Sequence, residues 1–173
     1  MRQTLQSIDR LIDPLRKLAN FVGAPLLDLS IRLYMAWVFF KSGMIKYDTW
    51  QDGNFDSTIY LFEEIHPVPG IDPTLAAYSA TAAEVILPIL LAIGLFGRFA
   101  AAGLLVMTMT IQYLIGGDFY LTEHNYWMLL LAVPFIRGPG ALSLDALLRY
   151  FIWNGKKKTN DSTRNTPIQA QLV

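Results

Sequence analysis

The sequence predicts an all-α fold, a four-helix transmembrane bundle flanked by amphipathic interfacial helices. Three observations predict it. Apolar residues make up 53% of the chain and charged ones only 16%, too little polar surface to coat a soluble core of this size. Long apolar stretches recur, each bounded by Gly, Pro or charged residues. The basic residues are also segregated, because eleven of the 14 Lys and Arg lie before the first apolar stretch, at Arg98, or from Arg137 onward.

The elements follow in order. In residues 1–24 the residues Leu5, Ile8, Leu11, Ile12, Leu15 and Leu18 recur mostly three or four apart with charges between them, the pattern of a helix lying in the membrane interface and bent at Pro14. The first crossing is read at 25–45 and carries Asp28, Arg32 and Lys41. The second, 73–96, has Glu84 as its one charge and Pro88 as a site for a kink. The third spans 99–115. The fourth, 120–136, is short for a spanning helix, which needs about 17–25 residues. Residues 137–154 form a C-terminal amphipathic helix, started by Ser143 or Asp145, and 155–173 a polar, disordered tail.

The charge distribution sets the orientation. By the positive-inside rule both termini and the Arg98 turn are cytoplasmic, and residues 46–72 and 116–122 face outward. The expected location is therefore a membrane, crossed several times with both termini on its cytoplasmic side. The first outward loop is long enough for a short helix from Asp56 or Ser57 to Ile65, capped by one of those two residues and lying as a lid on the outer surface.

The candidate chemistry lies in the polar residues of these apolar stretches. A charge at a helix centre costs roughly 2.5–3.5 kcal/mol on insertion scales, so such a residue is paired, protonated or lines a cavity. Glu84 stands near the midplane of its helix. Arg32 is its expected partner, with Asp28 one turn before Arg32 on the same face. Lys41 lies on roughly the opposite side of the first helix and nearer the outer end. Gln112 needs a partner for its amide when buried. Arg32, Glu84, Lys41 and Gln112 are thus the candidate catalytic residues.

Two further groups stand at the outer edge. His66, His124 and Glu123 have ligand chemistry for Cu(II) or Zn, without HxxH or HExxH spacing. Trp127 and His124 are the candidate lining of a quinone site. With no cysteine in the chain, disulfides, thiolate metal sites and an internal thiol relay are excluded.

Several segments together resemble the DoxX family of small membrane proteins: RLYMAWVFFKSGMIK (32–46), AEVILPILLAIGLFGRFAA (83–101), HNYWMLLL (124–131) and RGPGALSLDALL (137–148). LFEEIHPVPGIDPTLAA (61–77) and LLVMTMTIQYLI (104–115) are most similar to the HvfX-like branch, associated with maturation of copper-binding modified peptides. The resemblance implies links to oxidative stress and quinone-dependent sulfur oxidation, and it matches Arg32, Lys41, Glu84, Arg98 and Ser143 to Asp145 to the family's pattern.

The expected function is accordingly an inner-membrane accessory protein in the maturation, export or redox handling of a metal-binding peptide or in a stress response. The alternatives are a quinone-linked oxidoreductase subunit, a small transporter and a structural scaffold. Quinone or copper are the cofactors considered. The expected partners are the lipid bilayer and other membrane or cytoplasmic proteins of the same pathway. A homo-oligomer is compatible with the chain, and no nucleic acid is expected.

Overall fold

The computed structural model describes residues 12–115 and 122–152, and within them all regular structure is helical. Helix α1, Ile12–Gln51, is 40 residues long. It contains one stretch of i→i+5 bonding, Ala19–Gly23, immediately before Pro25. Proline lacks an N–H and its ring crowds the carbonyl four residues back, here Phe21, so local widening lets the helix continue. Residues 12–24 therefore belong to the same helix as the first crossing rather than to a separate one. The helix also runs on past Ile45, because no Gly or Pro interrupts it between Met44 and Gln51.

Helix α2 comprises Asp56–Tyr60 and an i→i+5 stretch, Leu61–Ile65. Its first turn has no side-chain cap, contrary to the expectation for Asp56 or Ser57. Ser57 instead donates to the Asn54 carbonyl. Phe55 anchors the start, buried against Tyr78 with ring centroids 4.4 Å apart. Helix α3, Pro73–Ile93, begins with Asp72 accepting from the Leu75 amide and Pro73 in the first turn, both standard starting devices. Gly94, with φ 70°, ends it.

Helix α4 comprises Gly97–Met109 and continues through Thr110–Ile115 with i→i+5 bonding. Helix α5 is Thr122–Arg137, and α6 occupies 144–152. Ser143 caps α6 by accepting from the Ala146 amide at 3.2 Å.

Helices α1, α3, α4 and α5 pack in a ring, each against the next and α5 back against α1. Met35, Phe39, Leu91, Ala100, Ala101, Leu104 and Leu131 fill its centre. The outside is apolar as well: Leu33, Trp37, Ile86, Ile89, Val106 and Leu129 are all exposed. A protein apolar both inside and outside is built for lipid. Three of these helices, α1, α3 and α4, are long and apolar enough to cross a membrane. Helix α5, at 16 residues, completes the ring beside them.

Candidate functional site

Small residues bring α1 and α3 close together. A Cβ on Gly43 would lie 2.7 Å from both the carbonyl carbon and oxygen of Glu84, so only glycine permits this approach. One turn further along α1, Lys46 faces the same neighbour. Its Nζ lies 2.5 Å from Glu84 Oε2 and donates to Ser42 Oγ at 3.0 Å. Both side chains are largely buried, 13% and 7% exposed, so each offsets the other's cost of leaving water. Lys46 is thus the partner of Glu84.

The expected Arg32 to Glu84 contact is not made. Arg32 is 1% exposed and bonds at the opposite end of the ring, donating from Nη2 to the Leu142 carbonyl. Its Nε and Nη1, and Oδ1 of Asp28, have no hydrogen-bond partner among the described residues. Asp28 Oδ2 lies 3.5 Å from Arg137.

The same end contains a second long-range device. Asp145 accepts from the amides of Phe96 and Gly97, at 3.0 and 3.1 Å, and its own amide donates to the Gly94 carbonyl. Its carboxylate therefore starts α4 rather than α6, satisfying amides left open by the positive φ of Phe96, 48°. The segment 138–145 is thereby fastened across this end of the ring. Arg32 and Asp145 serve that latch.

The pair at Lys46 and Glu84 borders a cavity of about 570 Å³ between α1, α2, α3 and α4. Eleven of its seventeen lining residues are apolar, among them Phe62, Ile71, Ala80, Ala83 and Met107, and the polar ones include Ser42, His66 and Thr110. The volume falls in the range of small-molecule pockets, about 300–1,000 Å³. Two of the three i→i+5 stretches contribute to the wall, through Leu61 and Phe62 and through Thr110, Ile111 and Ile115. Such widened turns are frequent at functional sites. His66, in the loop between α2 and α3, has its pKa pushed down by burial, then by Lys46 and by His124.

The remaining candidates divide. Gln112 and His124 meet as a buried pair, Oε1 to Nδ1 at 2.8 Å. Gln112 Nε2 has no partner among the described residues. Trp127 packs between His124 and Phe39, with centroid distances of 5.1 and 5.9 Å. This cluster does not line the large cavity. Lys41 is exposed on the far face of α1, and Glu123 is exposed at the start of α5. Among the described residues no group of three or more His, Asp or Glu side chains is gathered for a metal, so His66, His124 and Glu123 do not form the expected ligand set.

Lys46 escaped the sequence reading although a signal existed. Arg32, Ala36, Phe39, Gly43 and Lys46 follow one helical face, and closing the helix at Ile45 cut the last from it. Ser42, one turn before Lys46, lay inside the expected span but had no partner without it. The Asp145 and Leu142 contacts have no such signal, since their partners lie 48 to 110 residues away.

These features define a small helical membrane protein with a buried ion pair beside an apolar cavity. Residues 27–117 match the DoxX family, and as that is more than half of the 173 residues the chain belongs to it. The chain is also similar to a protein of Haemophilus influenzae described as uncharacterized, 28% identical over 137 residues that cover 74% of this chain and 87% of that one. No solved structure matches it.

Proposed function

We propose that this DoxX protein binds a lipid-soluble molecule with a neutral, acceptor-bearing head in the cavity at Lys46 and Glu84, and acts as the membrane subunit of a redox or maturation system. The single observation that carries this reading is the buried ion pair at the edge of a largely apolar cavity of ligand size. The charge of Glu84 is already balanced by Lys46, so the wall carries no net charge from the pair and favours a neutral head over an anion. Lys46 uses two of its three ammonium protons on Glu84 and Ser42, and the Ser42 hydroxyl accepts from Lys46 and keeps its own proton. Both groups are donors available to a carbonyl oxygen, while the apolar wall takes a chain or ring.

A quinone head fits this donor set, and when bound it supplies two-electron, two-proton redox chemistry. The residues' part is to orient the head, hold protons at Lys46 Nζ and Ser42 Oγ, and exclude bulk water with α2.

The setting we infer is the bacterial cytoplasmic membrane, with α5 as a fourth crossing and with both termini and the Arg98 turn on the cytoplasmic side. This rests on the distribution of Lys and Arg. Within the family, the HvfX-like placement and its role in maturation, export or redox handling of a copper-binding peptide is the finer proposal. It is supported by the position of 61–77, the segment that carries that resemblance, since Leu61, Phe62, His66, Val68, Ile71 and Ala76 all line the cavity. On this reading the metal belongs to the peptide, and the protein works with partners of the same pathway.

Titrating decylubiquinone into the protein in nanodiscs tests the ligand reading. We expect saturable one-to-one binding in the original chain and at least a tenfold loss in Ala80→Trp, which fills part of the cavity and leaves both members of the pair in the chain. Non-saturable partitioning, identical in both proteins, would overturn it.

A further inference from the structure

Helices α1 and α3 run antiparallel, for Gly43 meets Glu84 while Arg32 reaches Gly94, just past the end of α3. The pairing sets the depth of each residue of α1. Helix α3 has 21 residues, about 30 Å of helix, which matches the hydrocarbon layer of a bilayer. Glu84 stands midway along it. Lys41 precedes Gly43 by about 3 Å of helix rise, so it too lies at mid-depth. Its expected place nearer the outer end followed from closing the crossing at Ile45, whereas α1 runs on to Gln51, about 15 Å beyond Lys41.

Lys41 is exposed on the outer face of α1 and forms no hydrogen bond or ion pair among the described residues. Either membrane surface is about 15 Å away, farther than a four-carbon stem can carry an ammonium. Lipid phosphates sit at those same surfaces and do not reach it. Charges at this depth are paired or face the interior, and within this chain Lys41 does neither.

Beside it, α1 and α3 leave a groove of about 300 Å³ lined by apolar residues throughout. Leu33, Trp37, Ile89 and Ile93 stand exposed along its rims, and Ala36 and Pro88 are buried beneath. Trp37 is one helical turn before Lys41 on the same face, so the groove ends at the ammonium.

We propose that this groove and Lys41 together receive a transmembrane helix of a partner protein that carries an aspartate or glutamate at mid-depth. The groove takes the helix's apolar side chains, and Lys41 selects by charge. A second copy of this chain does not supply that carboxylate. An axis along the membrane normal brings two copies of Lys41 to one depth, and Glu84, the acid found there among the described residues, is held by Lys46. The groove shares no residue with the ligand cavity, so partner binding and ligand binding are separable.

A synthetic helix is the probe. Gln51→Cys, the single thiol in a chain that otherwise lacks cysteine, carries a fluorescence donor. Leucine-rich peptides of about 21 residues, with glutamate, leucine or lysine at the centre, carry the acceptor, and each is reconstituted with the protein in liposomes at low peptide-to-lipid ratio. The central-glutamate peptide is expected to give saturable energy transfer and to bind at least tenfold tighter than the central-leucine one. Lys41→Met is expected to abolish that preference and Lys41→Glu to pass it to the central-lysine peptide, each variant eluting as the original does. Ala92→Trp, which fills the groove and keeps Lys41, is expected to weaken the glutamate peptide at least tenfold. Equal binding of the glutamate and leucine peptides, the result for a lysine that is uncharged or satisfied by lipid, would overturn the proposal. A preference unaltered by Lys41→Met would do the same, and transfer between two labelled copies of the chain that Lys41→Met removes would overturn it in favour of a homo-oligomer. None of these readouts uses a ligand, so failure of the decylubiquinone test leaves them standing.

Discussion

Lys46 reaches Glu84 because Gly43, one turn earlier, lets the backbones of α1 and α3 touch. Removing one member strands the other in a buried, low-dielectric site, which typically costs about 3–5 kcal/mol. Glu84→Met and Lys46→Met are each expected to destabilise by that order, and the double variant Lys46→Met with Glu84→Met by much less than their sum. Thermal unfolding of the four proteins in one detergent measures the coupling.

The contact at Gly43 gives a separate expectation. Gly43→Ala places a methyl 2.7 Å from the Glu84 carbonyl, and overpacking of this kind costs about 1–3 kcal/mol. Gly23 has open space around it and helical φ, −64°, so Gly23→Ala is expected to gain about 0.4–1 kcal/mol. Opposite shifts of the melting temperature in the two variants are the check.

The latch predicts a local effect. Asp145→Ala removes two hydrogen bonds to the start of α4, a loss of about 1–2 kcal/mol by analogy with helix caps. It is expected to speed proteolysis within 138–143 more than elsewhere, which mass spectrometry of early fragments reads out. Arg32→Met is expected to act in the same direction, since it frees the Leu142 carbonyl.

His66 predicts a pH dependence. Its pKa in the folded protein lies below the ordinary 6.5, pushed down by burial, Lys46 and His124. The unfolded chain therefore binds a proton first as pH falls, so this residue's contribution to stability is present above about 6.5 and is lost from there down to the lower folded value. Melting temperature measured across that window should fall less in His66→Gln than in the original chain.

How far the sequence was legible varies with distance along the chain. The spans at 73–96 and 99–115 came within three residues of α3 and α4, because apolar runs closed by glycine leave little choice. The helix from Asp56 to Ile65 was readable from its apolar spacing. Its cap was not, because Phe55 starts it by packing against Tyr78, a contact that helix-start signals do not encode. Glu84 announced itself as a costly charge needing a partner, but the choice of partner depended on depth and phase together. Arg32 was nearer in type and Lys46 nearer in space.

Native mass spectrometry of the protein released from nanodiscs decides whether Lys46 and Glu84 border a ligand site. One neutral, carbonyl-bearing lipid-soluble molecule per chain is expected to co-purify with the original protein and to be missing from Ala80→Trp of equal stability. Phospholipid alone, retained equally by both proteins, would contradict it.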